Sequence, residues 1–258
     1  MAALLRRIGT LDPAPPWGIA TAIGFLIASF ALMVISTTIT GLVFGQTVLA
    51  TLGGWSLGMV VMALLVTVAR NRTPEDGAGL GIVSGVVDPA RLVLTVLLGI
   101  GVAITLDLIG LLVTGGVASP VAELLVFFGG TPGTAVTTPF AADFPAWFIA
   151  ILFLAVFQPV GEELVFRGVI YPALRQGLGA WMGFLLTAVF SGIFHLLAYT
   201  TQPQSTLPFF WYAFLLPLFD ALFLGAVRAN TGSTRSAIAA HVGLGLFAIM
   251  RTLLLAGG

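Results

Sequence analysis

The chain contains no cysteine and no lysine, and charged residues fill only 8% of its 258 positions. The first absence excludes disulfides and thiol chemistry. The second leaves all ten cations as arginines, balanced by ten acids. With a net charge of zero, no basic field invites nucleic acid. The scarcity of charge excludes more. Hydrophobic residues make up 59% of the chain, and mean hydropathy is +1.11. A soluble domain could not cover its surface with so few polar groups, so lipid is the expected solvent.

What is present divides into apolar spans. Seven segments emerge, at 17–45, 47–69, 91–115, 146–168, 180–200, 207–228 and 234–256. The expected fold is all-α, a polytopic membrane bundle of about seven helices (six to eight). Residues 1–16 read as a cytoplasmic N-terminal tail, 17–145 as N-terminal transmembrane helices and loops, and 146–256 as a separate C-terminal core. A short helix is expected near 119–128 and a loop over Gly129 to Phe144. Residues 13–69 carry no charge, too long a run for a cleaved signal peptide, so the first helix is expected to remain.

Orientation follows from arginine. With the N-terminus inside, Arg6, Arg7, Arg70, Arg72, Arg91, Arg167, Arg175, Arg228 and Arg235 all fall on the cytoplasmic side, and Arg251 falls on the other. That asymmetry is what the positive-inside rule requires and places the protein in the cell membrane. Trp17, Trp147, Trp181 and Trp211 lie near span starts, where interfacial anchoring is expected.

Ionisable groups inside spans cost roughly 2.5–3.5 kcal/mol each at a helix centre, so each needs a reason. They are Asp107, Glu162, Glu163, Arg167, His195, Asp220 and His241, which include both histidines of the chain. Glu163 and Arg167 are i,i+4 neighbours in the favourable order and are expected to pair. Glu162 then lies about 100° away, facing the bundle without a partner. Pro159 removes a helical hydrogen bond just before it, and a kink is expected there. Glu162 and His195 flank a turn at Gly177-Leu178-Gly179 by 16 and 17 residues from Leu178, which puts them at one depth on antiparallel helices. His241, mid-span on the last helix, can reach the same level. A carboxylate and two imidazoles can activate water and polarise a carbonyl. The same residues also fit a structural ion network that fixes helix packing.

Glu162-Glu163-Leu164-Val165-Phe166-Arg167 resembles the Glu-Glu-x-x-x-Arg signature of the CPBP family of intramembrane proteases, which includes type II CAAX prenyl endopeptidases and the Abi proteins. Its Phe-x-x-x-His motif is matched at His195, with Ser191 in the Phe position and Phe190 one residue away. Its third motif is matched at His241, with Gly245 where Asn is expected. The resemblance covers about 147–250. It implies hydrolysis of a peptide bond in a membrane-associated protein or peptide. Glu162 and His195 would activate the water, and His241 would help to bind the oxyanion. Glu163 and Arg167 support them. An oxyanion donor is worth about 10²–10³ in rate, so Gly245 predicts a slow or inactive enzyme unless another group donates. No cofactor is firmly implied. A divalent metal such as zinc held by Glu162, His195 and His241 is the alternative to a metal-free Glu/His mechanism. Two other functions remain: an inactive member acting as an immunity or assembly factor, and a proton-coupled transporter using Asp107, Asp220 and Glu162. The catalytic cavity is expected to open toward the cytoplasm, the nearer surface to Arg167, or sideways to the inner leaflet.

Overall fold

The computed structural model describes residues 2–45, 47–82, 88–115, 144–198 and 206–256. All regular structure among them is helical. In chain order the helices are α1 (Ala2–Gly9), α2 (Ile19–Phe44), α3 (Val48–Arg70), α4 (Pro74–Leu80) and α5 (Pro89–Val113). After them come α6 (Phe144–Leu178), α7 (Ala180–Ala198), α8 (Thr206–Thr231) and α9 (Thr234–Ala256). Seven, α2, α3 and α5 to α9, are long and apolar enough to cross a membrane. The outward side chains agree, since Leu42, Phe44, Val68, Leu94, Leu112 and Leu254 are all largely exposed. In a bilayer they meet acyl chains rather than water. The protein is an integral membrane protein.

Inside, burial follows helical spacing. Leu52, Met59, Met62 and Val66 form one fully buried face of α3. They share a core with Phe153, Val165, Phe166 and Val169 of α6. Close approaches use glycine, as expected where lipid tails offer no hydrophobic drive and backbones must meet directly. A Cβ on Gly161 would stand 2.9 Å from the Met59 carbonyl oxygen, where α6 crosses α3. One on Gly99 would lie 2.2 Å from Ala240 O, and one on Gly243 would lie 2.2 Å from Val96 O, at the crossing of α5 and α9.

The helix carrying the two glutamates is longer than expected, ending at Leu178 rather than 168. No break occurs at Pro159. Instead, the ladder widens to π-helical turns at Phe153–Phe157 and Leu164–Ile170, and again at Trp211–Leu215 in α8. Each widened stretch is followed within two residues by a proline, at 159, 172 and 217. A proline offers no donor to the preceding turn, and a switch to i→i+5 bonding is one way for the helix to continue past it. Gln158 N bonds Phe153 O, Tyr171 N bonds Phe166 O and Leu216 N bonds Trp211 O in that manner.

Two further expectations change. Trp17, Trp147 and Trp211 are buried rather than set in the interface; only Trp181 of those four is exposed. The Trp17 indole donates to Val169 O at 3.0 Å, so it anchors α6 from within. Residues 2–9 of the expected tail form α1, with Ile8 buried against Tyr171, Phe184 and Ala229. The expected helix at 119–128, and the loop after it as far as 143, lie outside the described residues.

Candidate active site

The chain reverses at Gly179, whose φ of 91° is a conformation that suits glycine. The α6–α7 hairpin sets Glu162 and His195 side by side, as the count from Leu178 predicted. His195 Nε2 lies 3.6 Å from Glu162 Oε1. His195 Nδ1 lies 2.9 Å from Ser191 O, one turn back. A carbonyl only accepts, so Nδ1 carries the proton, and in the neutral ring Nε2 presents its lone pair toward Glu162. Glu162 is buried and is not unpartnered. Gln158, one turn earlier, donates from Nε2 to Glu162 Oε1 at 3.0 Å.

His241 reaches the same region but touches the other glutamate. Its Nδ1 is 2.9 Å from Glu163 Oε1. The same oxygen accepts from Arg167 Nη1 at 3.0 Å, which confirms the expected i,i+4 pair. Arg167 also donates from Nη2 to Ala221 O at 2.9 Å, tying α6 to α8. Glu163 and Arg167 are essentially inaccessible. The two glutamates therefore divide the histidines: Glu162 faces His195, and Glu163 holds His241.

Glu162, His195 and His241 line one cavity of about 80 Å³. A single water needs roughly 10–15 Å³ on such a measure, so several fit. The π-turn explains how α6 lines it. Leu154, Gln158, Glu162 and Arg167 all face the cavity, at spacings of four, four and five. In an unbroken α-helix the last of these would be Phe166. The widened turn at Leu164–Ile170 brings Arg167 round instead, while Phe166 packs edge-on against Phe194.

The cavity runs the other way from expectation. Its α9 wall is His241, Leu244, Gly245, Phe247, Ala248 and Arg251, about 15 Å of helix at 1.5 Å per residue. No lining residue lies on the Arg175 side of Arg167, His241 or Leu224. The space extends from the Glu162 level toward Arg251, away from the arginine-rich end. There Arg251 Nε donates to Asp107 Oδ2 at 3.2 Å, the arginine partner for Asp107. Asp220 also lines the cavity.

The departures from the motifs have physical correlates. A Cβ on Gly245 would sit 2.2 Å from Leu154 O and 2.9 Å from its carbonyl carbon. Helices α9 and α6 touch backbone to backbone there, leaving no room for an asparagine side chain. Ser191 lines the cavity, so a phenylalanine in its place would fill space that the serine leaves open. Among the described residues, no three His, Cys, Asp or Glu side chains group closely enough to hold a metal ion.

Sequence reasoning missed Gln158, although the signal was present. It is a lone amide in an apolar stretch, one helical turn before Glu162.

The matched segment supplies most of this cavity's lining; Ala103, Asp107, Ala248 and Arg251 come from outside it. Residues 144–247 match the family described as type II CAAX prenyl endopeptidase Rce1-like. The Rce1-like segment is about two-fifths of the chain and contains Glu162, Glu163, Arg167, His195 and His241. The family's description is that of an endopeptidase, and the match covers less than half of the chain. No curated protein and no solved structure matches the chain significantly.

Proposed function

We propose that the protein is an intramembrane endopeptidase that cleaves a peptide bond of a membrane-associated protein or peptide with water activated by Glu162 and His195. The observation that carries this reading is the 3.6 Å approach of His195 Nε2 to Glu162 Oε1 in a mostly apolar cavity that Gln158, Asp220 and His241 also line. Both atoms are acceptors when His195 is neutral. One water can donate a proton to each at about 2.8 Å and aim its oxygen lone pair at a scissile carbonyl. As the O–C bond forms, Glu162 takes the water proton, and the carbonyl π electrons move to oxygen. The C–N bond then breaks, and the departing amine takes that proton from Glu162. Gln158 holds the carboxylate by its amide, and Ser191 O holds the imidazole tautomer.

The oxyanion needs a donor, and His241 is the candidate. With Nδ1–H given to Glu163, its Nε2 must also carry a proton to donate. Glu163 and Glu162 together then balance the imidazolium and the Arg167 guanidinium, and Arg167 fixes Glu163. This assigns the second glutamate a supporting role. Zinc has no part in these steps; Glu162 cannot be both ligand and free base. The arginine distribution supports a cytoplasmic N-terminus in the cell membrane. The cavity would then extend toward the outer leaflet.

The test is cleavage of a membrane-peptide library by the purified chain, read by mass spectrometry, with and without a chelator. Cut products that persist in chelator and vanish in Glu162→Gln support the mechanism. Chelator-sensitive cleavage would contradict its metal-free form. A second reading, an inactive member that works by binding, is favoured by the Gly245 contact that excludes the family's asparagine. It predicts that Glu162→Ala accumulates normally and retains its biological effect.

A further inference from the structure

At the arginine-rich end of the bundle, outside the cavity, a second polar cluster is buried. Arg175 of α6 and Arg228 of α8 both lie over the ring of Tyr171, at 4.8 Å and 5.7 Å from its centroid. Arg175 is well bound: its Nη1 donates to Ile8 O at 2.7 Å and Ala180 O at 3.2 Å, and its Nη2 donates to Thr10 O. Arg228 is not. It is 2% exposed and its guanidinium makes no hydrogen bond among the described residues; its one counter-ion among them is Asp12, with Nη1 3.8 Å from Oδ2. The Tyr171 hydroxyl is also buried without a hydrogen-bond partner, as is Arg175 Nε.

Two guanidiniums against one carboxylate leave one positive charge in a poorly solvated place. Buried charge is tolerated when it is paired and hydrogen-bonded, and Arg228 is neither fully paired nor bonded. The missing partner is an acceptor-rich group of one negative charge. Arg228 and the Tyr171 hydroxyl supply donors of the kind that recognise phosphate oxygens. The cluster lies nearest solvent at the segment between α1 and α2, where the Asp12 side chain is 29% exposed although its Oδ2, which faces Arg228, is buried. The surroundings are cationic: Arg6 and Arg7 on α1 and Arg235 on α9 are exposed at the same end.

We propose that Arg228, Tyr171 and Arg175 form a binding site for a singly charged phosphate group. Its source is either the headgroup of an anionic phospholipid or free inorganic phosphate. Asp12 stands beside the site as a weak internal competitor. Occupancy would join α1, α6 and α8 at the end that the peptidase cavity does not reach. The inference is independent of the peptidase reading.

The experiment is thermal unfolding of the full chain in an uncharged detergent. Four additions are compared: phosphatidylglycerol, phosphatidylcholine, inorganic phosphate, and sodium chloride at matched ionic strength. A ligand well above its Kd should raise Tm by on the order of 5 °C for a chain of this size. A rise with phosphatidylglycerol but not phosphate assigns a lipid headgroup; a rise with phosphate assigns the free ion. Asp12→Asn should enlarge the rise, because it removes the competing charge. Arg228→Gln should abolish it, and Tyr171→Phe, which keeps the ring, should reduce it. Two results would overturn the proposal. One is no rise above the chloride and phosphatidylcholine controls in either wild type or Asp12→Asn. The other is a full rise retained in Tyr171→Phe and Arg228→Gln, or in Tyr171→Phe alone if Arg228→Gln does not fold.

Discussion

Gly245→Ala adds one methyl group where the structure has no room for it. The new Cβ would stand 2.2 Å from Leu154 O and 2.9 Å from its carbonyl carbon. Both are backbone atoms, held in the widened part of α6, and neither can rotate away as a side chain tip could. Helix α9 must shift outward at the level of the cavity. Forced overpacking of this kind costs about 1–3 kcal/mol. At roughly 2–4 °C per kcal/mol for a chain approaching this size, Tm should fall by about 2–12 °C. The control is Gly24→Ala, where a Cβ meets nothing within 4 Å; there the better helix propensity of alanine should leave Tm unchanged or raise it. Differential scanning fluorimetry in detergent reads both. Gly245→Asn, which restores the residue expected from the motif, should be at least as unstable and no faster. If Gly245→Ala melts with the control, or if Gly245→Asn gains 10²-fold in rate, the packing account of this position is wrong.

Further outcomes follow from the same geometry. Arg167→Ala leaves buried Glu163 with His241 as its remaining side-chain partner among the described residues and should cost about 3–5 kcal/mol, seen as loss of folded protein in size-exclusion profiles; a normal profile with lost activity would make Arg167 part of the chemistry instead. Gln158→Leu removes a hydrogen bond to a buried charged group worth about 1.5–3 kcal/mol, so Tm should fall by about 3–12 °C, and turnover should fall because the carboxylate is no longer held. Unaltered turnover would remove Gln158 from the site. Ser191→Cys introduces the one thiol in the chain, and it should react with a small impermeant reagent from the side of Arg251. Reaction from the side of Arg175 would show that the cavity opens as the arginine count first suggested.

Much of the fold was legible because its causes are local. Seven apolar runs of span length, separated by charge or by Gly and Pro, leave little choice but helices in lipid, and all seven appear. The pairing of Glu162 with His195 was legible because a tight turn at Gly179 converts equal residue counts into equal depth. The pairing of Glu163 with Arg167 was legible from helical spacing. What could not be read was the ladder change. An α-helical wheel puts Arg167 off the Glu162 face, and only the π-turn over Leu164–Ile170 returns it. Proline pointed to a kink, whereas the chain relieved the missing donor by widening. The tryptophans were misplaced because an indole near a span end can face inward as well as outward. Tertiary contacts such as Trp17 to Val169 O decide which. The direction of the cavity depends on how α5, α8 and α9 splay, which no single segment encodes.

The central claim is that Glu162 is the base that activates the hydrolytic water. Its most direct test is the rate of cleavage by Glu162→Gln against wild type, on a peptide that wild type cuts, with Tm measured on the same samples. Glutamine keeps the size and a polar contact for Gln158 but takes no proton. The account predicts a fall of about 10²–10⁴ in turnover at an unchanged Tm, the range general-base catalysis supplies. Turnover within a few-fold of wild type in a folded Glu162→Gln protein would contradict it.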